Sequence, residues 1–355
     1  MEETKVTKDM FKLSPAQAGQ GDEMARESLT FWQDAFRRLK QNKASVISLW
    51  VIAIIIVMAI FGPVMNGFKY DQQIAPLKVH AKLPPKVPGL EKLGIMDGSR
   101  TKIKTKFDED GNQYKERIKV NPYVEEGIED SYFWFGTDDL ARDLWTRTWA
   151  GARVSLYIAM LAAVINLVIG VTYGGVAGYF GGKIDMIMMR ITEVIGGIPN
   201  LVVMIMFILV FKPGILTMSI ALTITGWIGM ARIVRGQILK LRGQEFVLAS
   251  RTLGASHKQL ILKHLIPNTV PQIVIVIMFS IPGAIFFEAF MAFIGLGLPA
   301  PNASLGVLIN DGYKMLKGFP YLMIIPSTVL CILMLCMNLF ANGFRDALDP
   351  KMRSK

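Results

Sequence analysis

Six apolar runs interrupt the charged residues of this chain, at 46–65, 154–180, 194–211, 213–231, 265–287 and 318–344, each of 18 or more residues. A helix of that length, rising about 1.5 Å per residue, crosses roughly 30 Å of hydrocarbon. One such run fits the core helix of a soluble protein as well as a membrane span. Six in 355 residues, with 52% of the chain hydrophobic, leave a polytopic membrane protein. Backbone groups find no water in a bilayer, so the spans are helical and the fold class is all-α with six transmembrane helices. The first run starts too far into the chain, and is too long, for a cleaved signal peptide, and no small-residue cleavage site follows it. It reads as a retained anchor.

The net charge of +11 is then a matter of topology rather than of nucleic acid, because Lys and Arg collect in cytoplasmic loops. Segment 232–264 holds seven basic residues, Arg232, Arg235, Lys240, Arg242, Arg251, Lys258 and Lys263, against the single acid Glu245. Six spans with both chain ends inside place that segment, and the basic tail 345–355, in the cytoplasm. Residues 1–27 are polar. After them, TFWQDAFRRLKQNK (30–43) sets Phe31, Trp32, Ala35, Phe36 and Leu39 on one helical face opposite Arg37, Arg38 and Lys40, as in a helix lying on an anionic leaflet. Thr30 and Gln33 have the spacing of a capping box. The expected organisation is a cytoplasmic tail with an interfacial helix at 1–45, a first span at 46–65, an extracytoplasmic insertion at 66–145, a five-helix core at 146–344 with a cytoplasmic loop at 236–266, and a tail at 345–355. The KPG turn at 212–214 falls outside.

Within the insertion, TKIKTKF (101–107) and YKERIKV (114–120) alternate with period two around Asp110-Gly111, the signature of a β-hairpin. The acids there lack a Gly at the sixth position and a closing Glu, so a plain turn is expected rather than a calcium loop. Gly170, Gly174, Gly178 and Gly182 recur every four residues and make a stripe on which a neighbouring helix packs closely. Glu288 sits near the outer end of the fifth run, where burying a carboxylate is costly. It is a candidate for lining a path or gate, against the alternatives of snorkelling to the interface or pairing structurally. Arg190 and Glu193, three apart, are expected to pair on a helix surface beside Asp185. Cys331 and Cys336 do not share a helical face, and His80, His257 and His264 have no ligand spacing, so neither a disulfide nor a metal site is expected. GxxxxGK[ST] is absent, so this polypeptide is not expected to bind ATP by itself.

EFVLASRTLGASHKQLILKHLIPN (245–268) reads as two short helices joined by a tight turn. Phe246, Leu248, Ala249 and Leu253 recur at helical spacing, and Gly254 stands where a C-terminal cap needs positive φ. Ser256 and Gln259 supply a capping box for the second helix, which is expected to carry Leu260, Ile261 and Leu265 up to Pro267. Taken alone, the segment also suits a DNA-binding helix-turn-helix. Apolar runs within a few residues on both sides leave no room for that, and a membrane-tethered regulator is the weaker reading.

Together with FGTDDLARDLWTRTWAGARVSL (135–156), YFGGKIDMIMMRITEVIGGIP (179–199) and FEAFMAFIGLGLPAPNASLG (287–306), this segment resembles the oligopeptide and dipeptide ABC-importer permeases, in particular the C-type of their two paired membrane subunits. The resemblance implies a type I ABC-importer permease fold in a bacterial or archaeal plasma membrane. It implies a non-enzymatic subunit forming half of a translocation pathway, with no cofactor of its own. Its implied partners are a homologous permease, two cytoplasmic ATPase subunits holding ATP and Mg, and an extracytoplasmic peptide-binding protein. The alternating pattern and unusual length of 66–131 lead to the expectation that it folds as an extracytoplasmic extension contacting either the binding protein or the partner permease. The family's coupling-loop pattern, Glu-Ala-Ala, three residues, Gly, nine residues, Ile-x-Leu-Pro, falls on Leu248, Ala249, Ser250, Gly254 and Pro267, with Leu253, Ala255, Ser256 and His257 in the turn. Leu248 replaces the acid, His264 and Ile266 replace the final aliphatics, Ala141 stands where Gly is usual, and Leu305 where Trp is common. Related importers of nickel or glutathione-like solutes share these motifs. An ion-coupled secondary transporter would need several intramembrane carboxylates, and Glu288 is the one serious candidate.

Overall fold

The structure, a computed structural model, describes residues 30–107 and 113–349. Among these, five helical stretches are long and apolar enough to cross a membrane, or six if a bent pair counts as one span. The first stretch is α2 (Lys43–Phe61) with the 3₁₀ turn that follows it. Next come α5 (Leu144–Phe180) and α8 (Ile215–Leu241). The last two are the run through α11 (Ile266–Met291) and α13 (Tyr321–Leu348). Ahead of them, α1 (Phe31–Gln41) begins on the Thr30–Gln33 capping box, buries Ala35 and Leu39, and leaves Phe31, Trp32 and Phe36 exposed.

The run at 194–211 is not one straight span. It divides between α6 (Gly182–Gly196) and α7 (Asn200–Phe211), which meet at 75°. Pro199 disfavours helical backbone at Ile198, and two glycines precede it, so the helix breaks where hydropathy alone runs on. The charges Asp185, Arg190 and Glu193 therefore lie on a separate helix, with Arg190 and Glu193 paired at 2.8 Å on its exposed face.

Helix directions follow from contacts at the two ends of the bundle. The Trp145 indole, near the start of α5, donates to the carbonyl of Gly62 just past α2 at 2.9 Å. The first turn of α2 at Ser45 lies against Gly343 near the end of α13. Tyr321, opening α13, donates to the carbonyl of Thr137 in the insertion at 3.0 Å. Both described ends of the chain thus share one end of the bundle with the far end of α5. The insertion and the 212–214 turn share the other.

The described residues of 66–143 fold as a layer over that second end. Besides the short helices α3 (Leu77–His80) and α4 (Pro122–Glu125), it contains a hairpin of β1 (Arg100–Phe107) and β2 (Gln113–Val120), paired from Arg100–Val120 to Phe107–Gln113. The expected Asp110-Gly111 turn lies outside the described residues. A small core of Leu83, Tyr123 and Phe133 organises the layer, and Tyr123 donates to the carbonyl of Pro84 at 2.8 Å. Lys86, only 6% exposed, sets its ammonium over the rings of Tyr123 (5.0 Å) and Tyr132 (4.5 Å) beside Glu91 (3.7 Å). A buried ammonium persists only when compensated in this way.

The glycine stripe joins α5 to α8, with one correction. A β-carbon on Gly170 would lie 2.6 Å from Met230, one on Gly178 would lie 2.8 Å from the carbonyl of Arg235, and one on Gly174 would overlap the carbonyl of Ala231. Gly182 is not part of this seam. α5 has already ended at Phe180, Gly181 turns the chain at φ +66, and nothing lies within 4 Å of where a Gly182 side chain would start. A period of four in sequence carries no record of the helix stopping.

Candidate coupling segment

Between α8 and α11 the chain forms α9 (Glu245–Thr252), a tight turn, α10 (His257–Gln259) and a π-helical turn at Leu260–Leu265. Gly254 takes φ +84. Its N–H donates to the carbonyl of Arg251 at 3.0 Å, and that of Ala255 to the carbonyl of Ser250 at 3.1 Å. This is the paired bonding of a Schellman cap, which needs a left-handed residue at that position. Ser256 and Gln259 make both bonds of their capping box.

The second helix does not stop before Pro267. It continues through a π turn into α11 as one stretch, His257–Leu296. Proline lacks an N–H and its ring crowds the carbonyl four residues back, and a locally widened turn accommodates both. The second helix of the pair is thus the first turn of a membrane-length helix, and no recognition helix is free to enter a DNA groove.

Which face looks outward is decided by packing. Val247, Leu260 and Leu265 are buried in one cluster with Tyr179, Met230, Val234, Ile238 and Ile273. Leu248 (47%) and Leu253 (88%) are exposed, as are Ala249, Gly254, Ser256, His257 and Pro267, with Ser250 and Ala255 half-buried. An exposed leucine on a rigid cap, with a second exposed leucine five residues earlier on the same short helix, offers apolar surface for a contact.

Several polar contacts at this end of the bundle leave no trace in sequence spacing. Asp185 of α6 binds Arg235 of α8 through both carboxylate oxygens, at 2.5 and 2.6 Å. Arg242 donates to the carbonyls of Gly178 and Tyr179 at 3.3 and 3.4 Å. The Tyr179 hydroxyl and His257 Nδ1 are hydrogen-bonded at 2.5 Å.

Glu288 lies far from this segment and is wholly buried inside the chain. Ser155 of α5 donates to its carboxylate at 2.7 Å, and the N–H of Leu305, at the start of α12 (Leu305–Lys314), donates to the same Ser155 oxygen at 3.3 Å. The side chain is therefore enclosed within this chain and paired with Ser155, and it does not snorkel to an interface. The Ser155 hydroxyl thus joins three elements, because α12, which hydropathy did not reveal, folds back against α11 through Gly306. Nearby, the turn at 138–143 holds Ala141 at φ +55, the position where glycine is usual in the related motif. Asp138 accepts from Arg142 Nε at 2.7 Å and pairs with Arg147 at 3.3 Å.

Residues 170–354 match the family model of the binding-protein-dependent transport system inner membrane component, and residues 30–85 match that of the N-terminal TM domain of oligopeptide transport permease C. The oligopeptide transport system permease protein OppC of Bacillus subtilis is 40% identical over 98% of this chain and 99% of its own length.

The chain belongs to this permease family.

The dipeptide transport system permease protein DppC of Bacillus subtilis is likewise 40% identical, over 98% of this permease and 94% of its own length. Among solved structures, the MetNI methionine ABC transporter has a chain 21% identical to this permease, with a TM-score of 0.46 over 58% of this chain and 96% of that one. The permease is thus an inner-membrane transport component with several membrane-spanning helices. The candidate coupling segment lies at the end of the bundle where α1 and the end of α13 lie.

Proposed function

We propose that this permease forms half of an import pathway for oligopeptides or dipeptides and couples it to ATP hydrolysis on separate subunits. A homologous permease supplies the other half, an extracytoplasmic binding protein delivers the peptide, and two cytoplasmic ATPases hold ATP and Mg. Both chain ends and the coupling segment face the cytoplasm. The observation that carries the reading is the α9 cap, where Leu248 and Leu253 point outward from a turn fixed by Gly254 while Val247 anchors its back. An ATPase groove closing on that surface pushes directly on α8 and α11, which continue from it.

Leu253→Asp tests the contact, since a side chain 88% exposed has no folding role to lose. The variant is expected to insert normally and to release the ATPases on purification, with peptide uptake abolished. Gly254→Val meets no neighbour within 4 Å but forces a β-branched residue to φ +84, a strain of about 1–2 kcal/mol, and should weaken the same contact less severely. Lys78→Ala, in the layer at the opposite end, serves as control. Gln259 does not serve, because its side chain accepts from the Ser256 N–H at 2.9 Å. ATPase copurification and uptake at the control level in Leu253→Asp would end the assignment.

Orientation has its own measurement. Cysteines placed at Lys212 and Lys258 should react oppositely with an impermeant thiol reagent on intact cells, the first labelled and the second only after permeabilisation. Labelling of position 258 alone would invert the topology.

A further inference from the structure

Two helices that end at the coupling segment, α8 and α11, are joined to it by the chain itself. α5 is not. It ends at Phe180, and Gly181 and Gly182, at φ +66 and +55, turn the chain away into α6. Yet α5 has the most to transmit. Its 37 residues make a rod of about 55 Å. Its far end begins on Asp143 in the outer layer, and on the way Ser155 touches Glu288 and Leu305.

What ties this rod to the coupling segment is its penultimate residue. Tyr179 is 5% exposed, packed in the cluster with Val247 and Leu260, and its hydroxyl is 2.5 Å from His257 Nδ1 on the first turn of α10. Arg251 of α9 donates to the same hydroxyl at 3.5 Å, and the Tyr179 and His257 rings meet edge to face at 5.5 Å. One hydroxyl at the end of α5 thus meets both short helices of the coupling segment. Arg242 binds the last carbonyls of α5 from the α8 side, so this end is held from two directions.

We propose that Tyr179 is a positioning residue for coupling, whose hydroxyl, held by His257 and Arg251, makes α5 follow the coupling segment when the ATPases displace it. Hydrogen bonds act over a few tenths of an ångström and the tyrosine ring is wedged in a packed cluster, so a displaced α10 either draws α5 along or breaks the bond. The proposal rests on the assignment of α9 as the ATPase seat.

The test uses the intact importer in sealed proteoliposomes, with the binding protein loaded with a pool of labelled di- to pentapeptides on the side it serves and ATP supplied on the ATPase side. Tyr179→Phe, His257→Phe and the double variant are compared for ATPase copurification, basal hydrolysis and peptides moved per ATP. Tyr179→Phe keeps the ring and its packing. It should leave assembly and basal hydrolysis unchanged while peptides per ATP fall about fivefold, the size of one net hydrogen bond. A merely structural role would leave that ratio alone. The double variant should be no worse than Tyr179→Phe, because both remove the same bond. A parental ratio in Tyr179→Phe, or a further drop in the double variant equal to the His257→Phe effect alone, would overturn the proposal. Leu253→Asp separates the two levels. If it keeps its ATPases, the seat assignment fails. If it loses them while Tyr179→Phe transports at the parental ratio, only the role of Tyr179 fails.

Discussion

Gly174→Ala is expected to separate α5 from α8 and to deplete the folded permease, whereas Gly175→Ala, one residue on, is expected to be neutral or mildly stabilising. A β-carbon at 174 would overlap the carbonyl oxygen of Ala231, which belongs to a helix backbone and has no rotamer by which to move away. The helices must part along a seam that also includes Gly170 and Gly178, and overpacking of this kind costs about 1–3 kcal/mol or more. At 175 the new carbon would lie 3.8 Å from the Ile238 side chain, an ordinary contact. There the substitution keeps only the helix-propensity gain of about 1 kcal/mol. Thermal unfolding of the purified permease, read beside the yield of assembled complex, compares the pair. Equal midpoints would mean that the seam does not set the α5–α8 distance.

Asp143→Ala should loosen the 66–143 layer from the bundle. Asp143 is fully buried, and one of its carboxylate oxygens accepts from Asn66 Nδ2 at 2.6 Å, from the Thr146 N–H at 2.8 Å and from the Thr146 hydroxyl at 2.7 Å. It caps α5 and also binds the chain leaving α2. Loss of an N-cap costs about 1 kcal/mol, and each buried donor left unsatisfied adds about 1–3 kcal/mol, so about 3 kcal/mol or more is expected. That is a large part of the stability of an ordinary domain. Asp143→Asn keeps an acceptor for Thr146 but sets an amide N–H against Asn66, and should fall between. The readouts are the unfolding midpoint and protease cleavage within 66–135. A parental cleavage pattern in Asp143→Ala would show that the layer is held elsewhere.

The outcome at particular residues shows where sequence reasoning stops. Both capping boxes, Thr30–Gln33 and Ser256–Gln259, and the positive φ of Gly254 were legible because each is a property of three or four consecutive residues and the backbone they favour. The hairpin strands were legible from their period of two, and the long spans from hydropathy. The bend between α6 and α7 was signalled by Gly-Gly-Ile-Pro, but a hydropathy sum ignores backbone geometry and merged the run. The same limit hid α12, a helix of 10 residues, too short to register as a span. Pro267 misled in the opposite sense, since a π turn lets the helix continue past a residue that ordinarily ends one.

The sequence by itself determined the class of fold, the six apolar stretches, the pair of short helices at 245–259 and the glycine turn between them, because burial in a membrane and local capping act on near neighbours in the chain. Only the tertiary structure decided that Glu288 answers to Ser155, 133 positions away, that Asp185 answers to Arg235, and that Tyr179 meets His257 across 78 residues. Those pairings depend on which helix faces lie against one another. That choice is made by close packing at Gly170, Gly174 and Gly178, where the absence of a side chain lets α8 approach. A periodicity shows that such a face exists, but the geometry of the partner helix decides what it meets.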